Sequence, residues 1–294
     1  MLVGNKISRE QKIRIGGICY SISFEDDISF FDECLGPFII PGDTEAVSTC
    51  RLSIVKGVTK SAVQRQQGWD HRIFEADTTW GLYGISNFFL SVPSLKNGSR
   101  TQLFAEFDKD FKCGTVHMGR AGIHHFLYPF LEVLTINLLC RGKGTLLHAS
   151  CIDDNGKGYL FVGQSGAGKS TMANLWNGKQ GVKVLSDDRV IVSEWGEGFV
   201  AYGTPWHGTA NYAMNANVLL EKIFLIRHAE KNTAEPVKGL KPVGGLIRDS
   251  FLPFWDRDGI EYSIGLIDRI AGHIDLFELG FLPGEEAVDF VRRV

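Results

Sequence analysis

The run Gly163-Gln164-Ser165-Gly166-Ala167-Gly168-Lys169-Ser170-Thr171 constrains this chain more than any other feature. It fits the spacing G-x-x-x-x-G-K-[ST]. An apolar stretch, Tyr159-Leu160-Phe161-Val162, enters it and a helix-compatible stretch, Thr171-Met172-Ala173-Asn174-Leu175-Trp176, leaves it. Strand, glycine-rich loop and helix in that order form a phosphate cradle. The glycines let successive N–H groups turn inward, and the helix brings the positive end of its dipole to the same anion. The pattern predicts a nucleoside triphosphate site held by Gly163, Ser165, Gly166, Ala167, Gly168, Lys169, Ser170 and Thr171. Lys169 reaches the β- and γ-phosphates and stands exposed in the empty site, and the Ser170 hydroxyl ligates Mg²⁺.

Composition narrows the surroundings. With 294 residues, 44% of them hydrophobic and 22% charged, the chain predicts one large or two ordinary globular domains with a real core. A net charge of −3 gives no electrostatic reason to expect nucleic acid or an anionic membrane. No apolar run approaches a membrane span, and the first residues lack the apolar core of a signal peptide. The six cysteines are scattered without C-x-x-C spacing, as expected of reduced thiols in a cytoplasmic protein.

Residues 1–118 alternate apolar with polar residues and predict a β-rich N-terminal domain that recognises an acceptor. Strand signals occur at residues 13–15, 18–24, 51–55, 72–76, 80–83, 102–107 and 115–118, with a turn at Asn97-Gly98 and a hairpin closing the series. Phe24, Phe30, Phe31, Phe38, Trp69, Trp80, Phe88 and Phe89 are expected in its core. The period then changes. Phe126, Leu127, Phe130, Leu131, Leu134 and Leu138 recur at helical spacing, predicting an amphipathic helix with one buried face. It becomes regular only from Pro129 and has His124 and His125 at its start.

Residues 119–294 read as the second domain, with an α/β pattern tending to α+β. Residues 145–152 and the strand before the phosphate loop are joined by Asn155-Gly156, so the loop is expected to hang from an antiparallel hairpin. Downstream, Val182-Lys183-Val184-Leu185-Ser186 ends in Asp187-Asp188. One helix and a return strand after Lys169 suffice to bring this pair back to the phosphates. Neighbours on an extended chain point opposite ways, so one carboxylate serves the metal and the other faces an acceptor. Gly203-Thr204-Pro205-Trp206-His207-Gly208 makes a rigid turn. Either His207 meets the γ-phosphate or the acceptor, or it satisfies a loop carbonyl while Trp206 fills the core. His228 and His273 are expected at the surface or as satisfied core residues. Lys241, Arg248 and Arg257 could meet phosphate but have no motif behind them.

His148-Ala149-Ser150, the phosphate loop and Leu185-Ser186-Asp187-Asp188-Arg189-Val190 together resemble the catalytic domain of HPr kinase/phosphorylase. That fold is related to ATP-dependent phosphoenolpyruvate carboxykinase. The likeness covers residues 140–230. It implies a kinase that moves the γ-phosphate of Mg²⁺-ATP to a serine hydroxyl of a protein or peptide. It also implies His148 near the transferred phosphate, Asp187 as the base toward the acceptor and Asp188 as the metal-side partner. The family's Ile-Glu-x-Arg-Gly-Leu-Gly segment is absent, with residues 203–208 in its approximate place, and Thr171 replaces the usual glutamate. The chain is thus closer to HPr-kinase-like proteins of uncertain substrate. Two other readings stay open: a nucleotide-dependent regulatory module without transfer, and an ATP-binding transport subunit, which would need an LSGGQ segment that is not seen. Self-association is left open.

Overall fold

The computed structural model describes residues 8–25, 33–41, 48–57, 72–76, 80–84, 88–93, 101–118 and 125–294. Strands dominate a mixed α/β architecture, and the chain divides into two compact units, Met1–Leu138 and Leu139–Val294. The division falls later than the expected boundary at residue 118. Nearly all of the helix expected to open the second domain goes with the first unit.

Among the described residues, the first unit forms one nine-stranded sheet. Its strands are β1 (Ser8–Ile15), β2 (Ile18–Glu25), β3 (Ile39–Ile40), β4 (Cys50–Lys56), β5 (Arg72–Ala76), β6 (Trp80–Gly84), β7 (Phe88–Pro93), β8 (Thr101–Phe107) and β9 (Cys113–Met118), in the order β3-β1-β2-β4-β9-β8-β7-β6-β5. The sequence period explains why it holds together. In β4, Cys50, Leu52 and Ile54 are buried while Arg51, Ser53 and Val55 face outward. The expected closing hairpin is β8 with β9, antiparallel from Leu103–Met118 to Phe107–Gly114. Phe38 is fully buried, and Phe24 and Trp80 are half-buried. Phe30, Phe31, Trp69, His124, the 97–98 turn and the side chains of Phe88 and Phe89 lie outside the described residues.

Tyr128 has extended backbone angles, φ −136° and ψ 127°, and the regular helix α1 (Glu132–Leu139) follows Pro129. The proline ends the irregular stretch because its own N–H is not needed in a first turn. The expected single buried face is not what forms: every residue of α1 is buried. Thr135 and Asn137 tolerate this because each side chain donates to the carbonyl four residues back, at 2.6 and 2.8 Å. His125 makes no side-chain cap bond at the start.

The second unit contains β10 (Thr145–Asp154), β11 (Lys157–Val162), α2 (Lys169–Trp176), β12 (Val182–Ser186), β13 (Arg189–Trp195), β14 (Gly198–Tyr202), β15 (Asn217–His228), β16 (Thr233–Pro236), α3 (Leu240–Arg248), α4 (Arg257–His273), β17 (Asp275–Phe281) and α5 (Glu285–Arg293). β10 and β11 form the expected hairpin. β11 also pairs in parallel with β15, and β15 with β17, so the phosphate loop leaves a strand flanked by both kinds of neighbour. The pairings β10–β13, β13–β14, β14–β15 and β15–β11 close a ring of strands. β12 and β13 lie end to end along β10, with Asp187-Asp188 as the break between them.

The two faces of β10 and β11 serve two cores. Leu147, Ala149, Leu160 and Val162 pack with Leu246 of α3 and with Leu266, Ile267 and Ile270 of α4. Ile152, Tyr159 and Phe161 pack with Met172, Ala173 and Trp176 of α2 and with Val288 and Val291 of α5. Trp176 is fully buried between the rings of Tyr159 and Phe161, which anchors the helix that follows the phosphate loop. Helix α3 is short, running only from Leu240 to Arg248, and the strand β16 before it spans just four residues. Among the described residues, no helix is long and apolar enough to cross a membrane.

Candidate active site

The loop meets α2 at Gly168, whose φ is +102° and where a Cβ would stand 2.6 Å from the Phe281 ring. Only glycine fits there, and glycine supplies no side chain to cap the helix. The first-turn N–H groups of α2 therefore have no capping side chain and suit an anion.

Lys169 is buried, 6% exposed, against the expectation of an exposed side chain. Its Nζ donates to Gly163 O at 2.7 Å and Gln164 O at 3.0 Å, two carbonyls of the loop itself. A lysine has three N–H donors, so one remains for a phosphate oxygen. Burial pushes its pKa down to about 8, with the charges of Asp249 and Asp187 opposing the drop and that of Arg189 adding to it.

Asp187 and Asp188 form a bend between β12 and β13 rather than the expected extended chain, and their carboxylates have different partners. Asp187 is 1% exposed and each of its oxygens accepts twice. Oδ1 takes the Gly208 N–H at 2.9 Å and the Tyr212 N–H at 3.2 Å. Oδ2 takes the Ala210 N–H at 2.9 Å and the Ser170 hydroxyl at 3.0 Å. Such a carboxylate is a brace that fixes the 208–212 loop and the Ser170 hydroxyl together, which is at odds with the expected role of a base open to an acceptor. Asp188 sits differently. Its side chain is 21% exposed and is paired with His148 Nε2 at 2.9 Å and with Arg189. The Arg189 guanidinium lies 4.4 Å from the Phe251 ring centre, and Asp188 O accepts the Ala149 N–H at 3.0 Å. Together they tie the carboxylate to β10.

A cleft of about 330 Å³ is lined by His148, Lys169, Ser170, Thr171, Asp188 and Gly208, together with Gly166, Thr209 and His228. The structure thus brings the phosphate loop, His148 and Asp188 to one cavity, with Asp187 behind it. His207 is not among the lining residues; its Nδ1 donates to Gly208 O at 2.9 Å. The 203–208 turn contributes through its backbone instead. A Cβ at Gly208 would stand 2.7 Å from Asp187 Oδ2, so the turn needs glycine to approach the carboxylate. His228, expected at the surface or in the core, hydrogen-bonds Gly166 O at 2.9 Å and sits 5.7 Å from Phe281 ring to ring. Lys241 and Arg248 line a second, adjoining cleft, and Arg257 lines neither.

Among the described residues there is no group of three or more His, Cys, Asp or Glu side chains suited to a metal. Magnesium does not require one, since it keeps several waters and takes one or two protein ligands besides phosphate oxygens. Ser170, with its hydroxyl proton committed to Asp187, keeps lone pairs for such an ion. No model of a known protein family matches this chain, and no curated protein matches it.

Proposed function

We propose that the chain is an ATP-dependent kinase that transfers the γ-phosphate to a hydroxyl, a serine of a protein or peptide. One observation carries the reading: Lys169, Ser170, Asp188 and His148 line a single cleft at the mouth of a phosphate loop. In phosphoryl transfer the protein chiefly positions groups and offsets charge. The loop amides, the free N–H of Lys169 and the α2 N-terminus hold the phosphates. Magnesium, held by Ser170, would supply charge neutralisation at the phosphate oxygens. Asp187 keeps Ser170 oriented toward that ion and holds the 208–212 loop against it. Asp188 accepts the proton of the attacking hydroxyl, and His148, donating from Nε2, keeps its carboxylate in place. The roles implied by the family resemblance are thereby exchanged, because only Asp188 is open to an acceptor. The first unit selects the acceptor in this reading.

The test is transfer of label. The full-length chain is incubated with Mg²⁺, γ-labelled ATP and peptides bearing serine, threonine or tyrosine, including products of adjacent genes. Label on a serine hydroxyl is the expected result. Tight nucleotide binding with no label on any hydroxyl would leave a regulatory module and contradict transfer.

A further inference from the structure

A second cleft, about 560 Å³, adjoins the first and shares Ser165, Gly166 and His228 with it. It opens beyond the C-terminal ends of β11 and β15 and beside β17, three strands paired in parallel. That is where open parallel sheets receive ligands, and the volume falls in the range of small-molecule sites. Two further features need an explanation that packing does not give. Gly244 lies in the middle of α3, where glycine costs about 1 kcal/mol relative to alanine. A Cβ there would meet nothing within 4 Å, unlike its neighbour Gly245, which packs on Leu225. Both glycines line the cleft, leaving a bare helix wall. In the same lining, Glu278 is fixed between Arg227 Nε at 3.2 Å and Lys241 Nζ at 2.5 Å, bonds that join β15, β17 and α3. The bond from Lys241 holds its carboxyl below the ordinary carboxylate range, so it stays an acceptor.

We infer that this cleft takes the nucleoside of the bound nucleotide, its planar base against the bare face of α3 at Gly244 and its ribose hydroxyls donating to Glu278. The inference rests on the phosphate-loop reading and extends it. Phosphates in the first cleft pass over the loop tip at Gly166 and His228, and the sugar and base follow into the second. A fixed carboxylate facing a vicinal diol is a known means of recognising ribose. The site consequently prefers ribonucleotides to their 2′-deoxy forms.

Calorimetric titration of the full chain with inorganic tripolyphosphate, ATP and 2′-deoxy-ATP, each with Mg²⁺, tests this. The unaltered chain should bind all three, ATP most tightly, with 2′-deoxy-ATP about tenfold weaker, the worth of a hydrogen bond to a charged acceptor. Gly244→Leu, which favours the helix and has room for its Cβ, should bring ATP down to the affinity of tripolyphosphate and leave tripolyphosphate unchanged. Glu278→Gln should remove the preference for ribose with the same constancy. If Gly244→Leu leaves ATP affinity intact, the cleft holds something else, the acceptor included, and the inference falls alone. If the unaltered chain binds neither tripolyphosphate nor ATP, the phosphate-loop reading falls and takes this inference with it.

Discussion

Lys169 spends two of its three N–H bonds on the loop carbonyls of Gly163 and Gln164, and burial holds its pKa at about 8. In the unfolded chain a lysine titrates near 10.4. Between those values the unfolded state binds more protons, so stability rises with pH through that window, and the cost of the buried charge is fully present below it. Nucleotide binding works the other way, since phosphate needs the charged form. ATP affinity should be flat below pH 8 and fall by up to about tenfold per unit above it, with proton uptake on binding at pH 9. Calorimetry in two buffers of different ionisation enthalpy measures both. An affinity unchanged to pH 9.5 would contradict this account of the lysine. The carboxylate pair shows where sequence reading stops at this scale. Extended geometry alone predicts that Asp187 and Asp188 do different things. It cannot say which is enclosed, because three of the four donors to Asp187 are backbone N–H groups at 208, 210 and 212, more than twenty residues downstream, and only Ser170 is a side chain. Backbone donors leave no side-chain signature, and His207, the conspicuous residue of that loop, contributes none of them.

The break between β12 and β13 and the 203–212 segment form one device, the first carrying the carboxylate and the second clasping it. Gly208→Ala tests the clasp. Its Cβ would stand 2.7 Å from an Asp187 oxygen already committed to two donors, so either the loop or the carboxylate must move. The expected cost is about 1–3 kcal/mol in thermal or denaturant unfolding, the usual price of overpacking. The rate of transfer should depend more steeply on Mg²⁺, because Ser170 loses its orientation. A variant as stable and as active as the parent would show that the clasp is incidental. Most strands were legible because alternation such as Cys50 to Lys56 is a local property, and the β10–β11 hairpin because Asn155-Gly156 sits at its turn. Helix α1 was legible as a helix but not in its surroundings. Thr135 and Asn137 bond their own backbone, which lets the sides that carry them be buried. The parallel partner of β11 was not legible, since β15 begins far along the chain and only tertiary pairing brings it back.

The second unit holds every residue of the proposed phosphate site together with both cores that support it, and every member of those cores lies between Leu147 and Val294. A chain starting at Leu139 should therefore fold cooperatively and bind Mg²⁺-ATP with the affinity of the full protein, yet phosphorylate no acceptor if the first unit selects it. Calorimetry and label transfer on the same preparation separate the two. A folded truncation that fails to bind nucleotide would contradict the division of labour. One comparison separates Asp188 as the proposed base of phosphoryl transfer from Asp187 as its brace. Asp188→Asn is titrated with a non-hydrolysable ATP analogue and assayed for transfer of label to a serine peptide beside the unaltered chain. Affinity should stay near normal while the transfer rate drops by about two to four orders of magnitude, the usual worth of a positioned base, with no recovery in excess Mg²⁺. An unchanged rate, or one restored by added Mg²⁺, would contradict that role for Asp188.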